Sequence, residues 1–237
     1  MSCSRVENFK HLLPVRMTMH EYNLTNKLTA EFIGTFFLVL TICTAGVHGL
    51  AGIFAPFAIA STLMVMIYAL GHVSGAHFNP AVTLGVWLRG ACADNEVLPY
   101  IGTQVIAGIL AAIVSQNALV SDPNPNLLVM DTWQAFTAEF LYTFALVFVI
   151  LNVATSESNS GNGYFGAAIA FVVLAGALTV GEISGGSFNP AVTSALLTAD
   201  VLKFEDLWLH IVPQVLAGLM AALVFRSISP VVAIDDD

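Results

Sequence analysis

From Phe32 to Leu88 the chain runs for 57 residues without one Asp, Glu, Lys or Arg. Three further uncharged stretches, Val97–Ser121, Ser158–Gly181 and Leu207–Phe225, are 25, 24 and 19 residues long. A helix that crosses a bilayer needs about 20 predominantly apolar residues, so each stretch holds at least one crossing. Charged residues make up 10% of the 237 positions, against about 25% in soluble domains, and too little polar surface remains to cover a soluble globule. Hydrophobic residues are 57% of the chain and the mean hydropathy is +0.82, which rules out a disordered chain as well. The class is an all-α membrane protein of several spans. Soluble enzymes fall away, and so does nucleic acid as a partner, because the net charge is −9 and no basic patch exists. Cys3, Cys43 and Cys92 are odd in number and widely spaced, a pattern of neither a disulfide framework nor a metal site. No cofactor is expected.

Six apolar stretches are long enough to cross, near Leu28–Val47, Ile53–Gly71, Leu98–Asn117, Trp133–Ala154, Tyr164–Ile183 and Leu207–Ser227. Two shorter ones, near Pro80–Leu88 and Pro190–Ala199, reach only about 14 Å at 1.5 Å per residue. They are expected as half-spanning re-entrant helices, because irregular backbone at membrane depth must be buried in protein or line a cavity. With the N-terminus inside, Arg5, Lys10, Arg16, Lys27, Arg89 and Arg226 lie on the cytoplasmic side and only Lys203 lies outside. By the positive-inside rule both termini are cytoplasmic. Residues 1–26 form a polar tail without the apolar core of a signal peptide; it is either free in the cytoplasm or laid on the headgroups. Residues 229–237 form an acidic tail ending in Asp235, Asp236 and Asp237.

The two halves repeat. Residues 30–42 match residues 138–150 at 8 of 13 positions, and residues 74–85 match 184–195 at 8 of 12. The segment Gln104–Gly108 matches Gln214–Gly218, and the offsets are 108, 110 and 110. Repeat one covers about residues 27–120 and repeat two about 132–228. Each carries three spans, an odd number, so the second copy enters the membrane upside down. Such an inverted 3+3 repeat with interrupted helices places a binding or conduction site near the midplane.

Both copies contain Asn-Pro-Ala, at Asn79-Pro80-Ala81 and Asn189-Pro190-Ala191. Proline suits the first helical position, where its missing N–H has no partner to lose. Asparagine before it is a good N-cap whose side-chain oxygen takes a backbone N–H, leaving the amide NH₂ to donate outward. Each short helix also carries about half a positive charge at its N-terminus. Inversion brings both asparagines to one spot, where a water would point its oxygen at the amides and its hydrogens away. That interrupts a proton wire and repels cations.

These motifs resemble the aquaporin, or major intrinsic protein, superfamily over about residues 27–228. The resemblance implies six spans, two half-helices, a pore in every subunit, and a homotetramer in the plasma membrane (the inner membrane in a bacterium). It implies passage of water and small neutral solutes, and no enzyme activity; residues 27–228 are then one channel domain. Electrostatic barriers from half-helix ends are a known design of aquaporin-type channels. Glu31 and Glu139 are intramembrane carboxylates, which are costly and usually functional. They serve either as a proton relay or as acceptors for the loops that hold the half-helices, and the resemblance favours the second. His77 is expected to face the pore or brace its loop, and His72 to be a loop histidine or a cytoplasmic pH switch. Gly75, Gly185 and Gly186 free the backbone so that carbonyls line the pore.

The chain departs from the family pattern at the narrow outer filter. The family carries Arg three residues after the second Asn, and here that residue is Val192. By family spacing the filter comprises Ile59, Ala177, Gly186 and Val192, all apolar or small. Glycerol facilitators carry Arg-Asp where Val192 and Thr193 stand. The expected filter is wide and apolar, unless Phe188 or Ser187 fills the vacated space. The alternatives are a wider-pore facilitator of glycerol, urea, ammonia or hydrogen peroxide, a secondary transporter, and a membrane adhesion protein with a closed pore.

Overall fold

The computed structural model describes residues 22–229 apart from Asp122 and Asn124. The expected acidic tail and most of the N-terminal tail lie outside these residues. Eight α-helices follow one another: α1 (Leu24–Thr41), α2 (Ala55–Ser74), α3 (Pro80–Arg89), α4 (Asp94–Val114), α5 (Thr132–Thr155), α6 (Phe165–Ser184), α7 (Pro190–Thr198) and α8 (Trp208–Ile228). Six are long and apolar enough to cross a membrane. The other two, α3 and α7, have ten and nine residues, as the two short apolar stretches require. The last turns of the first and third spans are π-helical, over Ile42–Val47 and Ser115–Leu119.

Two spans begin four residues earlier than hydropathy predicts. α1 starts at Leu24 because Asn23 and Asn26 form a reciprocal capping box, which satisfies two otherwise unpaired amides. α4 starts at Asp94, with Asp94 and Glu96 in its first turn, where acidic side chains favour the helix N-terminus. Lys27 Nζ lies 2.6 Å from Glu96 Oε1 and ties these two helix starts together. Polar first turns of this kind are invisible to an apolar window.

The packing repeats as the sequence does. α1 packs on α2 and α4, and α5 on α6 and α8. α3 lies against α8 of the other half, α7 lies against α4, and α2 meets α6. Exchanging the halves returns the same pattern, as an inverted repeat demands. Two glycines allow the half-helices to sit this close. A Cβ on Gly108 of α4 would stand 2.5 Å from the Ala191 carbonyl oxygen, and one on Gly218 of α8 would stand 2.5 Å from that of Ala81. Ala111 and Ala221 lie fully buried on the same two helices. These small residues, which invite close helix packing in lipid, therefore serve contacts inside the subunit and do not mark an oligomer surface.

Gly108→Ala and Gly218→Ala should each push a half-helix off its neighbour. Overpacking of this sort costs about 1–3 kcal/mol, so the midpoint of thermal unfolding in detergent should fall for both. Gly102→Ala, with nothing within 4 Å of the new methyl, should leave it unchanged. Equal midpoints for all three would refute the close-approach role.

Candidate functional site

Asn79 and Asn189 each sit in extended backbone just before a proline that opens a half-helix. Asn79 Oδ1 accepts from the Ala81 and Val82 amides at 2.8 and 3.4 Å, and Asn189 Oδ1 from the Ala191 amide at 2.9 Å. The side-chain nitrogens point across the repeat boundary. Asn79 Nδ2 donates to the Phe188 carbonyl at 2.9 Å, and Asn189 Nδ2 donates to the Phe78 carbonyl at 2.9 Å. An amide carries two hydrogens, so each asparagine keeps one for the cavity that both residues line.

The loops before the half-helices are unusual backbone. Gly75, Ala76 and Phe78 have φ of 88, 51 and 51°, and Gly185, Gly186 and Phe188 have 82, 61 and 48°. Left-handed φ is natural for glycine but costs roughly 1–2 kcal/mol for a residue with a Cβ. The two glutamates offset that cost. Glu31 accepts from the His77 amide at 2.9 Å, the Phe78 amide at 2.8 Å, Ser74 Oγ at 2.6 Å and Gln104 Nε2 at 2.8 Å. Glu139 accepts from the Ser187 amide at 3.0 Å, the Phe188 amide at 2.8 Å, Ser184 Oγ at 2.7 Å and Gln214 Nε2 at 2.8 Å. Both carboxylates are wholly buried, and neither is part of the cavity wall. Outside this shell, Tyr100 donates its hydroxyl to the Ser74 carbonyl at 2.9 Å, and His210 Nε2 lies 2.7 Å from the Ser184 carbonyl. His77 lines the cavity, and its Nδ1 lies 3.2 Å from Thr83 Oγ1. His72 is exposed in the last turn of α2, edge-on to Tyr22.

One cavity of about 400 Å³ takes in Ile59, Ala177, Gly186 and Val192, both asparagines, and His77. The four residues placed by spacing thus border one cavity. Phe188 and Ser187 both line this cavity, and the Phe188 ring would stand 3.5 Å from a Cβ on Gly186. Phe188 is buried, its ring 5.4 Å from Tyr142 and packed over Gly176. Ser187 is held by Glu139, Thr193 and Gln214. Leu128, from the α4–α5 connection, packs against the buried cluster that includes Val192, Leu196 and Val201 and lies over Gly185. Leu128 is pinned by a 2.9 Å bond from its amide to the Val201 carbonyl.

Three groups escaped the sequence reading. Ser74, Ser184, Gln104 and Gln214 stood as identical pairs in the repeat alignment, and a polar residue repeated inside an apolar span is a signal that the carboxylate has partners. Leu128 and Asn126 come from a connection outside both repeats, and no pattern predicted their place on the cavity wall. Glu182 also lines the cavity, an acidic side chain on a wall whose filter residues are all apolar or small.

Residues 18–225 match the family described as Major intrinsic protein. The chain is 36% identical over 220 residues to Aquaporin NIP3-1 of Arabidopsis thaliana, covering 84% of this chain and 66% of that one. It is 30% identical over 226 residues to Aquaporin Z of Photorhabdus laumondii, covering 86% of this chain and 97% of that one. An aquaglyceroporin structure from Plasmodium falciparum shares the fold with a TM-score of 0.66 at 18% identity, over 86% of this chain and 95% of that one.

Glu139→Gln should be severe although it is nearly isosteric. Its amide NH₂ would face backbone N–H donors, and each buried donor left without a partner costs about 1–3 kcal/mol. A large fall in detergent thermostability is expected, and Ser184→Ala should give a smaller fall in the same direction. An unchanged midpoint for Glu139→Gln would remove the bracing role.

Proposed function

The chain belongs to the major intrinsic protein family, and from that premise we propose that it is a passive channel for water and small neutral solutes. The observation that carries this reading is one cavity lined both by the outer filter residues and by both asparagines. Ile59, Ala177, Gly186 and Val192 surround that passage without a cation. A narrow apolar ring would strip water of hydrogen bonds and act as a dewetting gate; a wide one lets water keep its neighbours. We take the wide form, because none of the four filter side chains is large and polar or charged, and a wide filter would admit solutes of the size of urea and glycerol.

Exclusion of protons and cations is then assigned to the asparagine pair. Two amide donors and the positive ends of α3 and α7 orient a water with its oxygen inward, and an entering cation meets like charge. Glu31 and Glu139 are positioning groups for that pair, because their acceptor sites are occupied by the loops. The basic residues support cytoplasmic termini in the plasma membrane. A homotetramer rests on the family alone.

Stopped-flow light scattering of proteoliposomes under sucrose, urea and glycerol gradients tests the reading. Fast water flux and measurable urea and glycerol flux are expected. Val192→Arg should lower the solute fluxes tenfold or more while water flux falls less. If the unaltered protein already excludes urea and glycerol as well as the variant does, the wide filter is wrong. Flux that saturates and follows a proton or sodium gradient would replace the channel with a coupled transporter.

A further inference from the structure

Glu182 is the feature of the pore that the function above does not use. It sits in the last turn of α6, exposed, on the wall of the cavity that holds the filter residues. Its carboxylate makes no hydrogen bond or ion pair with another described residue. The position is an unfavourable one for an acid, because the C-terminal end of a helix is itself negative. The equivalent residue of the first half, 110 positions earlier, is His72, basic in the last turn of α2 as that helix end prefers. A residue that breaks a local rule without a structural partner points to function, and an ionisable group facing a cavity at membrane depth points the same way.

The surroundings reinforce its sign. Asn126 lines the same cavity, and Val192 stands where the family pattern has an arginine. Of the other charged groups on this end of the molecule, Asp131 caps α5, and Asp200, Glu205 and Asp206 are acids. Lys203, the one lysine or arginine at this end among the described residues, lies 3.8 Å from Glu205. The His48 imidazole, just past the first span, is held below its usual pKa by burial, so it supplies no positive charge at neutral pH. Low-dielectric walls focus the field of a charge into the cleft they line. The outer mouth is therefore negative, and the passage becomes positive only at the asparagines.

We propose that Glu182 makes this mouth a holding place for a small monovalent cation, and so sets the charge preference of the entrance. The proposal rests on the pore reading above. A single carboxylate fits a monovalent ion, whereas divalent cations are held by several oxygen ligands together. The held cation cannot pass the asparagine pair, so it occupies the path and impedes flux from that side, while small anions are kept out of the mouth.

Tetramethylammonium is the probe, since it is permanently charged and has no neutral form that could cross. Water flux in proteoliposomes is measured against its external concentration, osmolarity being balanced with sucrose, and each protein is compared with its own flux without the probe. Binding of the probe to the detergent-solubilised protein is followed separately by saturation-transfer NMR. The unaltered protein should show dose-dependent block, and Glu182→Gln should raise the half-blocking concentration tenfold or more. Glu182→Asp, which keeps the charge, should block nearly as the unaltered protein does, and so should Glu205→Gln, which removes an outer acid away from the cavity wall. Absence of block, or equal block in the protein and in Glu182→Gln, overturns the proposal. If no variant conducts water yet the NMR signal is lost in Glu182→Gln alone, the channel reading fails and the cation site stands.

Discussion

Each buried glutamate in this protein holds the asparagine of the opposite half. Glu31 takes the amide of Phe78, and the carbonyl of that same residue takes the side-chain hydrogen of Asn189. Glu139 takes the amide of Phe188, whose carbonyl takes the hydrogen of Asn79. The phenylalanines sit in a left-handed conformation that leaves N–H and C=O facing these two partners. Charge-assisted hydrogen bonds of this kind are among the strongest available to a backbone, and in a low-dielectric interior they are not diluted by water. Without them the loops would have no reason to keep strained backbone, and the half-helices would lose their fixed origin.

That brace also explains why buried carboxylates are tolerated at all. An unpaired charge taken out of water is very costly, and here each carboxylate is met by two backbone amides, a serine and a glutamine. The crossing of α3 over α8 and α7 over α4 is the mechanical counterpart. The Gly218 and Gly108 positions let the Ala81 and Ala191 carbonyls come within reach of a helix backbone, so the two asparagines arrive at one depth.

Much of this architecture is legible in the sequence because it is encoded twice. The uncharged runs give the spans, three spans in each repeat give the inversion, and Asn79 and Asn189 reveal their place through helix-start chemistry that needs no tertiary information. Positions tied to only one half are different. Leu128 joins the cavity wall and the Val192 cluster from a connection that has no repeat and no periodic pattern, its amide bonded to the Val201 carbonyl. Glu182 ends an apolar run and reads as a boundary residue; only the turn of α6 shows that it faces the passage. The early starts of α1 and α4 were hidden because caps and first-turn acids act through hydrogen bonds and dipoles, which hydropathy does not weigh.

The residues that brace the pore and the residues that tune it are separate sets. Ile59, Ala177, Val192 and Glu182 contribute no side-chain hydrogen bond to the network around Glu31 and Glu139, while their side chains face the cavity. Val192 lies one helical turn beyond Asn189, yet it is the neighbouring Thr193 that bonds to Gln214 and Ser187. An arginine can therefore be absent at that position without disturbing the asparagine pair. The loss removes a fixed cation from the entrance, and Glu182 then determines the sign of the field there. On the proposed reading, charge selection is divided by depth: an acidic mouth draws cations in and a positive centre turns them back, so that uncharged species alone find a path through both.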